Sequence, residues 1–98
     1  MKVSDLREGM RNVTITVKVV EVSRPRRVYT RRGPQLVADA LVEDETGQIK
    51  LSLWNRDIDR VKPGDTIEIK NGYVSTFRGE LQLNVGFRGT LTVKESTL

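Results

Sequence analysis

The sequence contains no cysteine and no histidine. These absences exclude disulfide bonds, thiolate nucleophiles, imidazole bases and the usual zinc ligand sets. No apolar run approaches the roughly 20 residues that span a bilayer, and residues 1–5 lack the apolar core of a signal peptide. We therefore expect a soluble, cytoplasmic protein that needs no metal or other cofactor and has no membrane partner.

The positive charge is concentrated in one segment. The chain has a net charge of +4, yet residues 23–34 carry five arginines and no acidic residue, so the rest of the chain sums to −1. A local basic patch indicates a polyanionic partner, whereas evenly spread charge mainly affects solubility. The alternative is a merely solvated loop, and the lack of acidic residues favours the polyanion.

Alternating apolar residues predict five main β-strands. These strands cover Asn12–Val22, Gln35–Glu43, Gln48–Trp54, Thr66–Phe77 and Leu81–Val85, and a last apolar alternation follows at Leu91 and Val93. Leu36, Ala38, Ala40 and Val42 are expected on one face of the second strand. The alternation breaks at Val19–Val20 in the first strand, which suggests a bulge.

The segments between strands carry turn and cap signals. Asn55–Val61 predicts a short helix that Asn55 caps, and Lys62–Asp65 predicts a turn. Arg78–Gly79 fits a two-residue hairpin turn. Ahead of the first strand we expect an entry turn that covers one end of a barrel with Val3, Leu6 and Met10.

Three of the five aromatic residues are expected on the outer face of the sheet: Trp54, Tyr73 and Phe77. Strand alternation places Trp54 opposite the aliphatic residues of its strand, and a bulge at Asn71–Gly72 turns the other two outward. A lone tryptophan at a strand end more often caps a core, but the company of two further aromatics reverses that preference. Exposed aromatics beside a basic loop are typical of proteins that bind single-stranded nucleic acid.

Five strands with a short helix between the third and the fourth follow the layout of the OB-fold, an all-β, five-stranded Greek-key barrel. Ligands bind such barrels at strands two and three and at the loops that join strands one to two and four to five. The basic loop 23–34 joins strands one and two, and Phe77 borders the loop between strands four and five. We predict that residues 1–98 form a single OB-fold nucleic-acid-binding domain.

The stretches that carry a family resemblance are Asp44–Trp54, Lys62–Asp65 and Asn71–Leu83. They resemble the simple, single-OB single-stranded DNA-binding proteins of archaea and their eukaryotic relatives, including domains of replication protein A. The resemblance runs from about Leu6 to Val93. It implies a non-enzymatic protein that protects single strands in DNA replication, recombination or repair. The matching base-stacking positions are Trp54, Tyr73 and Phe77.

The same resemblance implies that basic residues follow the phosphates. The expected contacts are Arg26, Arg27, Arg31, Arg32, Lys50 and Arg78. Some relatives have a further aromatic where this chain has Asn84, so we expect no fourth platform there. Tyr29 in the basic loop is a plausible stacking residue that nothing else in the sequence supports. Relatives often continue into a tail that recruits replication or repair proteins. This sequence ends at Leu98, before any such tail, which is either naturally absent or was removed.

Two other functions fit the same fold. One is a protein-interaction or assembly subunit whose aromatics meet a partner chain, and the other is an RNA- or tRNA-binding domain, because OB-folds bind both nucleic acids. Catalysis is disfavoured: the carboxylate pairs Asp57/Asp59 and Asp44/Glu45 fall in polar turns or helix without an apolar pocket. The sequence leaves the oligomeric state open, and we favour a monomer.

Overall fold

The computed structural model describes residues 1–96, apart from the side chain of Phe87, and consists mainly of β-strands. The strands are β1 (Val13–Val22), β2 (Arg26–Thr30), β3 (Gly33–Asp44), β4 (Gly47–Trp54), β5 (Thr66–Phe77) and β6 (Glu80–Glu95). A one-turn 3-10 helix, Val3–Asp5, precedes β1, and the short helix α1, Arg56–Arg60, connects β4 to β5. Within residues 1–96, no helix has the length and apolar character needed to cross a membrane.

Strand β1 closes the sheet into a barrel because it pairs with two strands. Its first part pairs with β5 and its second part with β3, and the ring continues from β5 through β6 and β4 back to β3. The pairing of β4 with β6 is parallel, and the other pairings are antiparallel. The register shifts between Val19 and Glu21, where the sequence predicts a bulge. The predicted five-stranded OB barrel is thus confirmed.

The barrel interior follows the predicted alternation. Its largest fully buried side chains are Leu6, Ile15, Leu51, Leu53, Ile67, Ile69 and Leu83. The entry turn also lies as predicted, with Val3 buried and Met10 half-buried against the core. The backbone N–H of Val3 donates to Asp44 Oδ2 at 2.8 Å, which fastens this turn to the end of β3.

The predicted basic loop is instead largely a β-hairpin, which we call the arm (residues 26–37). Strand β2 pairs with the first residues of β3 around a turn at Arg31 and Arg32, so β3 begins at Gly33 and not at Gln35. Leu36 was expected to share one face with Ala38, Ala40 and Val42, but those three are buried and Leu36 is 44% exposed. The reason is its position on the arm, since β1 covers β3 only from Ala40 onward.

Asn55 lies at the start of α1, as predicted, but its side chain does not cap the helix. Its φ of 51° departs from the extended conformation that an N-cap usually adopts. Asn55 Oδ1 instead accepts the backbone N–H of Leu36 at 3.1 Å, and Asn55 Nδ2 donates to Gln35 Oε1 at 3.2 Å. The residue therefore connects the helix to the arm.

The β5–β6 hairpin contains the predicted bulge and the predicted turn. The register shifts between Lys70 and Gly72, where Asn71 has a φ of 61°. The turn residues Arg78 and Gly79 both have positive φ, which is the type I′ geometry that matches the twist of paired strands. Strand β6 differs from expectation because it continues without a break through residues 86–89.

Candidate nucleic-acid interface

The three predicted aromatics share the outer face of the barrel. On β4, Trp54 lies two residues after Ser52, which is in register with Asn84 on β6. Asn84 is in turn opposite Tyr73 on β5, and Phe77 follows on the same side of that strand. Side chains in register, and alternate side chains of one strand, lie on the same face of a sheet. All three rings therefore lie on the side opposite to the barrel core.

These rings are exposed and well separated. Trp54 is 37% exposed, Tyr73 43% and Phe77 60%. Strand β6 lies between β4 and β5, which puts the strands of Trp54 and Tyr73 about 10 Å apart, and four strand residues separate Tyr73 from Phe77 by about 13 Å. Gly86 leaves room for the Tyr73 ring, because a Cβ there would lie 3.4 Å from Tyr73 Cδ1.

A groove of about 510 Å³ runs along this face. Trp54 and Phe77 line it, as do the arm residues Val28 and Tyr29. Tyr73 is not among the lining residues and borders the groove next to Asn84. The groove therefore lies between the arm on one side and the β5–β6 turn on the other.

The surface between the aromatics is polar, and we call it the floor: Ser52, Ser75, Gln82 and Asn84. Gln82 Nε2 donates to Ser52 Oγ, and Asn84 Nδ2 donates to Ser75 Oγ at 2.9 Å. Gln82 and Asn84 face outward, as predicted, but Asn84 is only 8% exposed and Ser52 only 5%. These mutual hydrogen bonds fix the floor before any ligand binds.

Two of the predicted phosphate contacts are engaged in ion pairs at the groove. Arg26 Nη1 lies 3.1 Å from Asp39 Oδ2, and Lys50 Nζ lies 3.2 Å from Glu80 Oε2. All four residues line the groove. Each pair is substantially exposed to solvent, and such pairs contribute little to stability. A phosphate can therefore compete with the carboxylate for either cation.

The other predicted cations lie at the edges. Arg27, Arg31 and Arg32 are exposed on the arm and do not line the groove. Arg78 is exposed in the β5–β6 turn, with its guanidinium carbon 5.3 Å from the centroid of the Phe77 ring. Basic side chains thus flank the aromatic face on two sides.

Sequence reasoning missed several groove residues. Tyr29, which the sequence marks only as a plausible stacking residue without further support, is 80% exposed and lines the groove. Asp39 and Ser52 could have been found by alternation, since each lies between inward-facing neighbours on its strand. The pairing of Asp39 with Arg26 and of Glu80 with Lys50 depends on strand register, which the sequence does not reveal.

Ionisable groups with shifted pKa values lie away from the groove, at the β3–β4 turn. The ion pair between Lys2 and Glu45 raises the pKa of Lys2 and lowers that of Glu45. At Asp44, burial works to raise the pKa but is outweighed by hydrogen bonds from the Thr46 hydroxyl and the backbone N–H groups of Val3 and Thr46, so the pKa is lowered. This turn fastens the entry segment to the barrel.

The closed five-stranded barrel with its outer groove defines an OB-fold domain. Residues 6–93 match the family described as single-stranded DNA binding protein Ssb-like, OB fold. This match covers most of the chain. The chain therefore belongs to the Ssb-like OB-fold family.

Individual relatives agree with this assignment. The chain is 39% identical over 85 residues to the single-stranded DNA binding protein Ssb of Saccharolobus solfataricus, covering 87% of this chain and 57% of that protein. It is 37% identical over 92 residues to replication factor A of Methanothermobacter thermautotrophicus, covering 87% of this chain and 12% of that protein. The chain thus spans less than two thirds of either relative.

A solved structure shows the same fold at similar length. A domain of replication protein A from Methanococcus maripaludis, determined by crystallography, superimposes with a TM-score of 0.81 at 29% identity. The superposition covers 100% of this chain and 98% of that domain. The barrel described above therefore recurs, over its full extent, in a related domain.

Proposed function

We propose that this chain binds single-stranded DNA without catalysis, by stacking bases on Trp54, Tyr73 and Phe77. The observation that carries the proposal is the placement of three exposed aromatic rings on one sheet face between two basic edges. Every base has a π-face, so stacking tolerates any sequence. At about 1–3 kcal/mol per stacked base, three platforms offer about 3–9 kcal/mol before the cost of ordering the strand.

The spacing of the rings favours a single strand over a duplex. The strands of Trp54 and Tyr73 are about 10 Å apart, and Tyr73 and Phe77 are about 13 Å apart along β5, as strand geometry requires. Bases in a duplex are stacked at about 3.4 Å per step, and both faces of each base are covered by its neighbours. Only a strand whose bases separate can reach the three rings, so duplex DNA should bind weakly.

Phosphate contacts add a salt-dependent contribution to the affinity for single-stranded DNA. Arg26 and Lys50 would exchange a carboxylate for a phosphate, while Arg27, Arg31, Arg32 and Arg78 meet the strand at the edges. Each phosphate neutralised on a single strand contributes about −0.7 to the slope of log affinity against log salt. Binding should therefore weaken with salt without vanishing, because stacking remains.

The relatives also support a proposal for the biological role of this chain. One is a single-stranded DNA binding protein and another is a replication factor A. We propose that this chain likewise protects exposed single strands during replication, recombination or repair, as a nucleoid-associated protein of the cytoplasm. RNA presents the same base faces, and its affinity is an outcome of the experiment below.

Trp54 is the single tryptophan of the chain, so its fluorescence reports directly on the proposed platform. We would titrate the protein with an oligothymidine of about 12 nucleotides, within the site sizes known for OB-folds. The same titration with duplex DNA, with the matching RNA and at raised salt separates stacking from charge. Strong quenching by the single strand, weak quenching by duplex and attenuation by salt are expected.

The opposite result is also informative. If no single strand quenches Trp54, and none binds in an independent assay such as fluorescence anisotropy of a labelled oligonucleotide, the proposal is wrong. The aromatic face would then be better explained as an interface with a partner protein. Stronger binding of RNA than of DNA would correct the ligand while retaining the stacking mechanism.

A further inference from the structure

The groove is electrically neutral, in contrast to its surroundings. Among the described residues, the charged side chains that line it are two cations and two anions: Arg26, Lys50, Asp39 and Glu80. Each cation is paired with one of the anions. The segment 23–34 at its side carries five arginines and no acid. A groove built only to attract phosphates would not need two carboxylates along its length.

Each carboxylate lies next to an aromatic platform. Glu80 is directly opposite Phe77 in the β5–β6 register, which places their Cβ atoms about 5 Å apart. Asp39 is opposite Ser52, and Trp54 is two residues beyond Ser52 on the same strand. Asp39 and Trp54 are therefore diagonal neighbours, at about 7–8 Å. The phosphate of a nucleotide stacked on Phe77 or Trp54 can point either toward the neighbouring carboxylate or away from it.

On the basis of the proposed function, we infer that Asp39 and Glu80 are specificity-determining residues that limit phosphates in the groove to those that displace a carboxylate from Arg26 or Lys50. A neutral base can stack beside a carboxylate, whereas a phosphate there is repelled by a like charge, and such repulsion discriminates between ligands. A single strand limits the repulsion by turning its bases inward. Only the phosphates that displace a carboxylate from Arg26 or Lys50 then enter the groove, and the others lie toward the basic edges. A duplex cannot do so, because its phosphates face outward on both strands.

Removal of the two carboxylates should weaken the preference for single strands. The isosteric double variant D39N/E80Q leaves Arg26 and Lys50 without their partners in the groove, which then attracts any phosphate. Affinity for both DNA forms rises, but the affinity for duplex rises more. The ratio of single-strand to duplex affinity should fall about two- to fivefold for each carboxylate removed, as expected for partly exposed charges.

The experiment measures Kd for an oligothymidine of about 12 nucleotides and for a duplex of about 12 base pairs at one fixed salt concentration. Wild type, D39N/E80Q and the control E45Q/D59N are compared by anisotropy of labelled DNA. The control makes the same change in net charge at two residues that do not line the groove. We expect its selectivity ratio to match that of the wild type.

The outcomes separate this inference from the proposed function. If the wild type binds no single strand, the proposed function fails and the inference fails with it. If the wild type prefers single strands and D39N/E80Q keeps that preference, or if E45Q/D59N loses it equally, the inference alone is overturned. Thermal unfolding checks that the double variant folds. Should it not, E80Q alone gives the same test, because the Glu80 side chain is 66% exposed.

Discussion

The guanidinium group of Arg78 lies over the ring of Phe77, with its central carbon 5.3 Å from the ring centroid. This distance is within the range of a cation–π contact. Both residues owe their positions to the type I′ turn, in which Arg78 has a φ of 53° directly after the end of β5. Arg78 therefore covers one face of a proposed stacking platform and also supplies a charge beside it.

These two roles of Arg78 oppose each other, and salt separates them. In R78A the Phe77 ring is uncovered, so stacking is favoured, while one phosphate contact is lost. We expect the slope of log affinity against log salt to become less steep by about 0.7. The variant should bind single strands more weakly than the wild type at low salt and equally well or better at high salt. Parallel salt curves for the two proteins would show that Arg78 contacts no phosphate.

The three platforms should each contribute to affinity without contributing much to stability. W54L, Y73L and F77L keep an apolar side chain but remove the π-face. Each should lower single-strand affinity about 5- to 150-fold, the equivalent of about 1–3 kcal/mol per stacked base. Because the rings are exposed, the thermal midpoints should stay near that of the wild type. V20A, at another exposed apolar residue that does not line the groove, is the control and should bind normally.

The barrel was predictable because its determinants are local. The alternation of buried and exposed residues in β1, β4 and β5 follows directly from binary patterning. The bulge at Asn71–Gly72 and the turn at Arg78–Gly79 were visible through Asn71 and Gly79, which are residue types that tolerate positive φ. The outward positions of Tyr73 and Phe77 depended on that bulge and are correct.

The parts that were not predictable depend on long-range register. The arm looked like a loop because proline and glycine do not favour strands, yet pairing of Arg26 with Val37 and of Thr30 with Gly33 makes it a hairpin. Asn55 looked like a helix cap, and its partners on the arm are 19 and 20 residues away in sequence. The ion pairs of the groove likewise join strands that the sequence does not align.

Gly72 should be intolerant of a side chain because a Cβ there would collide with the backbone of β6 and with a side chain of β5. An added Cβ would lie 2.9 Å from the backbone oxygen of Asn84 and 3.0 Å from Ile69 Cγ2. We expect G72A to lose about 1–3 kcal/mol of unfolding free energy, as for other overpacked sites. Thermal or urea unfolding measures the loss. G79N is the control, since a Cβ at Gly79 meets nothing within 4 Å and asparagine tolerates its positive φ. Equal stability of both variants would contradict the steric argument.

Asn55 should hold the arm in place through its side chain. N55G keeps the left-handed backbone at no steric cost and removes the hydrogen bonds to Leu36 and Gln35. We expect faster hydrogen exchange at the Leu36 amide, about tenfold for each 1.4 kcal/mol of local stability lost. The barrel amide of Leu51 should be unaffected. N12G removes another asparagine of positive φ and serves as the control; arm exchange that is unchanged in N55G would refute the bracing role.

Asp44 should make stability depend on acid pH. Its pKa is lowered in the folded protein because its carboxylate accepts hydrogen bonds from Val3 and Thr46, which outweigh the opposing effect of burial. As the pH falls, the unfolded chain therefore protonates Asp44 before the folded protein does. The stabilisation is complete above the ordinary aspartate pKa of about 4. It is lost as the pH falls further, through the lower pKa of Asp44 in the folded protein. D44N should be less stable at neutral pH and should approach the wild type below about pH 4. Urea unfolding at a series of pH values measures the gap. D59N leaves these contacts intact and is the control. If the difference in unfolding free energy between D44N and wild type stays constant on acidification, the hydrogen bonds are not linked to protonation of Asp44.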